Sequence, residues 1–145
     1  MIAYEVFIDS NIIIYAHDLD ERKKHTIAEK KLQELWQQDI PPNISIQVLQ
    51  ECYVNLIKKN VPLKEVEETI IDYLKWNVIN NDQVILKEGM HLKRKYNLSL
   101  WDALIIAAAK AAQARFILSE DLNDEQVYEG IRIINPFKNH SSYLD

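Results

Sequence analysis

The chain has 145 residues, 48% hydrophobic and 27% charged, with a formal net charge of -5 at pH 7. That balance fits one soluble globular domain spanning residues 1–145, and the acidic charge argues against a protein that coats nucleic acid through a summed positive field. Cys52 stands alone, which excludes an internal disulfide and a cysteine-rich zinc site. The opening "MIAYEVFIDSN" has no basic stretch ahead of a long apolar run, and no segment approaches the length that spans a bilayer, so the expected setting is the cytoplasm, with no membrane partner.

In chain order, "YEVFI" reads as a strand and residues 11–16 as a short helix. Apolar residues then recur at three- and four-residue spacing over 24–36, 45–59, 63–76, 82–96 and 100–114, which predicts five longer helices. Between them lie the β-like runs "PNISI", "RFIL" and "IRIIN", with a further short strand expected in 76–81. Alternation of this kind predicts an α/β fold: a short parallel sheet flanked by helices in three α/β/α layers. The prolines at 41, 42, 62 and 136 fall between periodic segments. Glycine occurs only at 89 and 130, so no glycine-rich phosphate loop can be built.

Most of the 22 acidic residues must be solvated, and only those in unusual surroundings carry information. Asp9 lies between Phe7-Ile8 and Ile12-Ile13-Ile14, where an isolated carboxylate is costly unless paired, hydrogen-bonded or metal-bound. It ends the first strand, where open α/β sheets place ligand crevices, and it could equally cap the helix that follows. Asp102 heads a stripe of Ile105, Ile106 and Ala109, and Ser99 three residues earlier resembles a capping box. Asp121 follows "RFILS" in a loop it shares with Glu120 and Asp124, which compete for its role. Glu51, with Gln47 and Asn55 as helical neighbours, reads as a solvated polar edge. His17, His25, His91 and His140 show no paired metal-ligand spacing, and Cys52 reads as a small core residue. The basic clusters at 21–25 and 92–96 read as solvated helix faces, the second also able to meet phosphate.

Together, "FIDSNIIIYA", "IQVLQECYVNL", "LSLWDALIIAAA" and "ILSEDLNDEQ" resemble the acidic motifs of the PIN-domain nucleases, particularly the VapC-type ribonuclease toxins of toxin-antitoxin pairs. The resemblance implies that Asp9, Glu51, Asp102 and Asp121 gather at one sheet edge around Mg²⁺ or Mn²⁺, as catalytic and metal-ligating residues, with Asn11, Ser119 and Asp124 supporting them. It further implies a metal-dependent endoribonuclease with an RNA substrate, an antitoxin partner and a homodimer. One departure is Glu125, which stands where similar toxins carry glycine, so the backbone after Asp121 is expected to turn differently. Two other classes remain open: a catalytically silent PIN-like interaction module, and a phosphoaspartate phosphatase or receiver domain. The last is disfavoured by Asn11, where such a phosphatase wants a second acid, and by the single acid closing the first strand.

Overall fold

The computed structural model describes residues 1–138; residues 139–145, His140 among them, lie outside the described residues. After a 3₁₀ turn at Ala3–Glu5, the elements run β1 (Val6–Ile8), α1 (Ser10–Ala16), α2 (Arg22–Trp36), β2 (Asn43–Ser45), α3 (Ile46–Lys58), α4 (Leu63–Tyr73), β3 (Asn77–Ile79), α5 (Gln83–Tyr96), α6 (Leu100–Ala111), β4 (Phe116–Leu118), β5 (Val127–Tyr128) and β6 (Ile131–Ile134). Among the described residues the six strands form one sheet in the order β3-β2-β1-β4-β6-β5, parallel except for the β5–β6 hairpin. Helices flank it, with α5 packed on α6, α1 on α2 and α3, and α3 on α4.

Val6, Phe7 and Ile8 are all inaccessible to solvent, as a central strand covered on both faces requires. From β1 the chain builds outward through β2 to β3, then returns on the other side through β4. The order therefore reverses between β1 and β4, which makes the carboxyl ends of those two strands the switch point where crevices open. Asn43 ties the opposite edge: its buried amide donates to the carbonyls of Tyr4 (2.8 Å) and Val6 (3.0 Å) and accepts from Asn77 (2.7 Å).

The helix-flanked α/β sheet and the strand within 76–81 match expectation, and several ends differ. Helix α6 stops at Ala111 rather than 114 because Gln113 takes a left-handed conformation (φ 58°), with Ala114 N–H donating to the Ala109 carbonyl and Gln113 N–H to that of Lys110. Asn60 closes α3 by the same pair of bonds. The sheet is also not wholly parallel: β5, which the sequence does not predict, pairs antiparallel with β6. Two residues are too short to show a period, and the hairpin turn is Glu129-Gly130, both at positive φ (51° and 79°), rather than a strong Asn-Gly signal. No helix among the described residues is long and apolar enough to cross a membrane.

The expectation that Glu125 redirects the loop after Asp121 is corrected. Glu125 adopts φ 66°, the left-handed conformation glycine would supply, and its N–H donates to the Ile133 carbonyl at 2.8 Å. The hydrogen bond to β6 holds the turn, and the side chain bears the steric cost. Glu125→Gly should therefore raise stability by about 0.5–1 kcal/mol in urea titration. An unchanged or lower midpoint would show that no strain is stored there.

Candidate active site

Strand register brings the first acid to its neighbours. Ile8 lies opposite Leu118, Asp9 N–H donates to the Leu118 carbonyl (3.0 Å) and Ser119 N–H to that of Ile134 (3.0 Å), so Asp9 and Ser119 leave adjacent strands side by side. Asp9 is 4% exposed and caps α1. Its Oδ1 accepts from Ser10 N–H at 2.7 Å, and its Oδ2 accepts from the Ser119 hydroxyl at 2.8 Å and the Asn11 amide at 3.3 Å. Capping thus accounts for one oxygen, while the other faces β4. Ser119 Oγ in turn accepts from the N–H groups of Asp121 (3.2 Å) and Leu122 (3.3 Å), which turns the loop back toward Asp9. Asn11 closes the arrangement, donating to Asp121 Oδ2 at 3.1 Å and accepting from Glu120 N–H at 3.0 Å.

Glu51 and Asp102 arrive on helices. Ser45 caps α3, accepting from Val48 N–H, and Glu51 follows on the second turn, partly buried rather than on the solvated polar edge its sequence neighbours suggested. The reason is Gln47, itself buried, whose amide donates to Glu51 Oε1 (3.3 Å) and to the Trp101 carbonyl (3.1 Å) and whose oxygen accepts from Asn81 (3.2 Å). Ser99 caps α6 by accepting from Asp102 N–H at 3.1 Å, as its spacing predicted, and the Asp102 carboxylate is left partly buried beside the neighbouring acids.

The electrostatics show that the four acids share one region. The Asp9 carboxyl is raised from 3.8 to about 7, chiefly by burial, with the bonds from Ser119 and Ser10 opposing the rise and the charges of Glu51 and Asp121 adding to it. Glu51 is raised by burial, offset by Gln47, with Asp121 and Asp102 adding to the rise. Asp102 is raised by burial, offset by Ser99, with Asp121 adding again. Like charges raise one another's proton affinity only at short range, so these shifts record convergence.

Among the described residues, no three acidic, imidazole or thiol side chains stand close enough to enclose an ion as placed. The donor chemistry nonetheless fits a hard divalent cation: the converging groups are carboxylate oxygens, and Asp9 accepts three bonds where a carboxylate can accept about four.

The competing acids have other duties. Glu120 accepts from the Tyr15 hydroxyl (2.7 Å) and pairs with Lys24 (2.6 Å), so Lys24 of the first basic cluster is not merely a solvated cation. Asp124 Oδ1 accepts from Asn135 N–H at 2.8 Å, anchoring the loop to the end of β6. Cys52 is buried and its thiol is pushed well up by burial, as a core residue's would be. His17 contacts the Tyr73 hydroxyl, and His25 the Tyr15 carbonyl and Glu29. Sequence reasoning missed the roles of Gln47, read as part of a solvated edge, and of the Tyr15–Lys24–Glu120 clamp, since nothing local links residues 105 apart.

The family model described as PIN domain matches residues 6–130. The chain belongs to the PIN-domain family. Solved structures with this PIN fold include a toxin-antitoxin complex from Klebsiella pneumoniae (TM-score 0.66, 24% identity, 90% of this chain and 97% of that one). The sarcin-ricin loop cleaving toxin VapC20 of Mycobacterium tuberculosis is a second (TM-score 0.64, 14% identity, 80% and 91%). VapBC2 from Rickettsia felis, bound to a DNA fragment from their promoter, is a third (TM-score 0.61, 15% identity, 88% and 96%). No curated protein matches this PIN-domain chain.

The Asp9 shift has a sign that can be measured. Between its ordinary 3.8 and about 7, the folded PIN domain holds a proton that the unfolded chain has lost. Its contribution to stability is therefore largest at the acid end, falls as pH rises through that window and levels off above it, by roughly 4 kcal/mol at most. In chelator, subtracting the stability of Asp9→Asn from that of wild type at several pH values should isolate this fall. A difference that stays flat or rises with pH would contradict it.

Proposed function

We propose that the chain is a single-domain, metal-dependent endoribonuclease, the toxin of a toxin-antitoxin pair, acting in the cytoplasm. The observation that carries this reading is the convergence of Asp9, Glu51, Asp102 and Asp121 at the switch point of a PIN fold, where Asn11 bridges Asp9 to Asp121 and the Asp121 charge acts on the other three. A catalytically silent scaffold has no use for buried like charges that oppose folding. The toxin assignment draws support from solved neighbours that are toxins and toxin-antitoxin complexes. The homodimer and antitoxin are partners that the family resemblance supplies.

Asp9, Glu51, Asp102 and Asp121 would hold Mg²⁺ or Mn²⁺, which supplies Lewis-acid polarisation of a phosphodiester and favours in-line attack by water. The chain's own residues do the positioning. Ser119 and Ser10 fix both oxygens of Asp9, and Asn11 couples Asp9 to Asp121 through one amide. Gln47 holds Glu51 by a bond to its Oε1. No histidine base is needed. An acidic surface is compatible with RNA because recognition can rest on an unpaired loop and local shape.

Purified protein should cut RNA with Mg²⁺ or Mn²⁺ and lose the activity in EDTA; undiminished cleavage in chelator would overturn the mechanism. Asp9→Asn should remain folded and lose at least about a hundredfold in rate, the scale set by removing a preorganised electrostatic group. Asp121→Asn should be similarly impaired. Asp124→Asn should keep cleavage, since its carboxylate is engaged with Asn135 and the amide that replaces it keeps an acceptor oxygen for that bond. A dead Asp124→Asn beside an active Asp121→Asn would mean that the fourth ligand is misassigned.

A further inference from the structure

A cleft of about 780 Å³ opens beside the acids, between the start of α3, the turn into α5 and the start of α6. Trp101, 65% exposed, forms one wall with Leu86, 46% exposed. The side chains of Gln50, Asn80 and Gln83 bring amides to the remainder, while those of Gln47 and Asn81 are bonded to each other. Asp82 also lines it, but the carboxylate accepts from Ile85 N–H at 3.0 Å and so serves α5. The lining contains no lysine or arginine.

We infer that this cleft is a nucleobase subsite, in which Trp101 stacks on an unpaired base of the RNA next to the scissile phosphate; the inference rests on the nuclease reading above. An indole left in water keeps a large apolar face unpaired, and base-on-aromatic stacking is the use of such a face that tolerates any sequence. Side-chain amides offer donors and acceptors together, which suits the edge of a base, whereas a wall without cations is poorly suited to a phosphate. The cleft is continuous with the acids. Trp101 precedes Asp102, and the same buried Gln47 amide that holds Glu51 also holds the Trp101 carbonyl. A base in the cleft would thus lie against the same Gln47 that holds the Glu51 carboxylate, one residue from Asp102.

The competing occupant is a second copy of this chain seated on Trp101, and one experiment separates the two. In an Asp9→Asn background with Mg²⁺, where the RNA stays whole, fluorescence anisotropy of a short labelled single-stranded RNA of mixed sequence reads affinity. Trp101→Ala should weaken binding by about five- to a hundredfold, the range for one stacked base, and Trp101→Phe should recover most of it. Sedimentation should show no change of mass in either variant. Equal affinity in Trp101→Ala would overturn the subsite, and so would a loss that accompanies a change of mass, which would give the face to a second copy. Failure of the nuclease reading looks different: the wild-type chain would leave RNA uncut while the Trp101 affinity difference persisted.

Discussion

Burying one carboxylate at the reversal of a parallel sheet constrains nearly everything around it. Asp9 sits among apolar strand residues with 4% of its surface exposed, and a charge so placed must be offered donors. Ser10, Asn11 and Ser119 supply them, from the first turn of α1 and from the end of β4. Because Ser119 is also the acceptor that turns the Asp121 loop, satisfying Asp9 and placing Asp121 are one event. The β1–β4 register makes it possible: one residue of slip would send Asp9 to the opposite face and separate it from Ser119.

The remaining acids add a cost that these donors do not remove. The charge of Asp121 raises Asp9, Glu51 and Asp102, and that of Glu51 adds to Asp9, so the metal-free fold carries repulsion at its crevice. Proteins that tolerate such repulsion commonly trade stability for a site, and a divalent cation would turn the same charges into binding energy. Gln47 extends the arrangement sideways, joining α3 to the Trp101 carbonyl and to Asn81, so the geometry of the acids and the shape of the neighbouring cleft are set by one side chain.

The sequence made the fold largely legible because the helices carry long apolar periods and the central strands are short, fully apolar runs. Asp9 was conspicuous for its apolar neighbours, and Ser99 announced the cap before Asp102 by its spacing. What stayed hidden depends on distant partners. Glu51 looked solvated because its burial comes from Gln47 contacting α6 and the β3–α5 turn. Strand β5 is two residues long and exists only through its pairing with Ile131 and Arg132. Glu125 looked like a departure from the turn, yet a 2.8 Å bond to the Ile133 carbonyl keeps it in the left-handed conformation that glycine would adopt. In each case the deciding energy is tertiary, and local propensity is overridden.

The central claim is that Asp9, Glu51, Asp102 and Asp121 act as one ligand set. Its most direct test is Mn²⁺ titration of the purified protein, with free ion read by electron paramagnetic resonance, for the wild type and for Asp9→Asn, Glu51→Gln, Asp102→Asn and Asp121→Asn. The account predicts saturable uptake by wild type and clearly weaker uptake by each variant, all of them still folded by circular dichroism. Uptake unaffected by every one of the four changes, or none by the folded wild type, would contradict it.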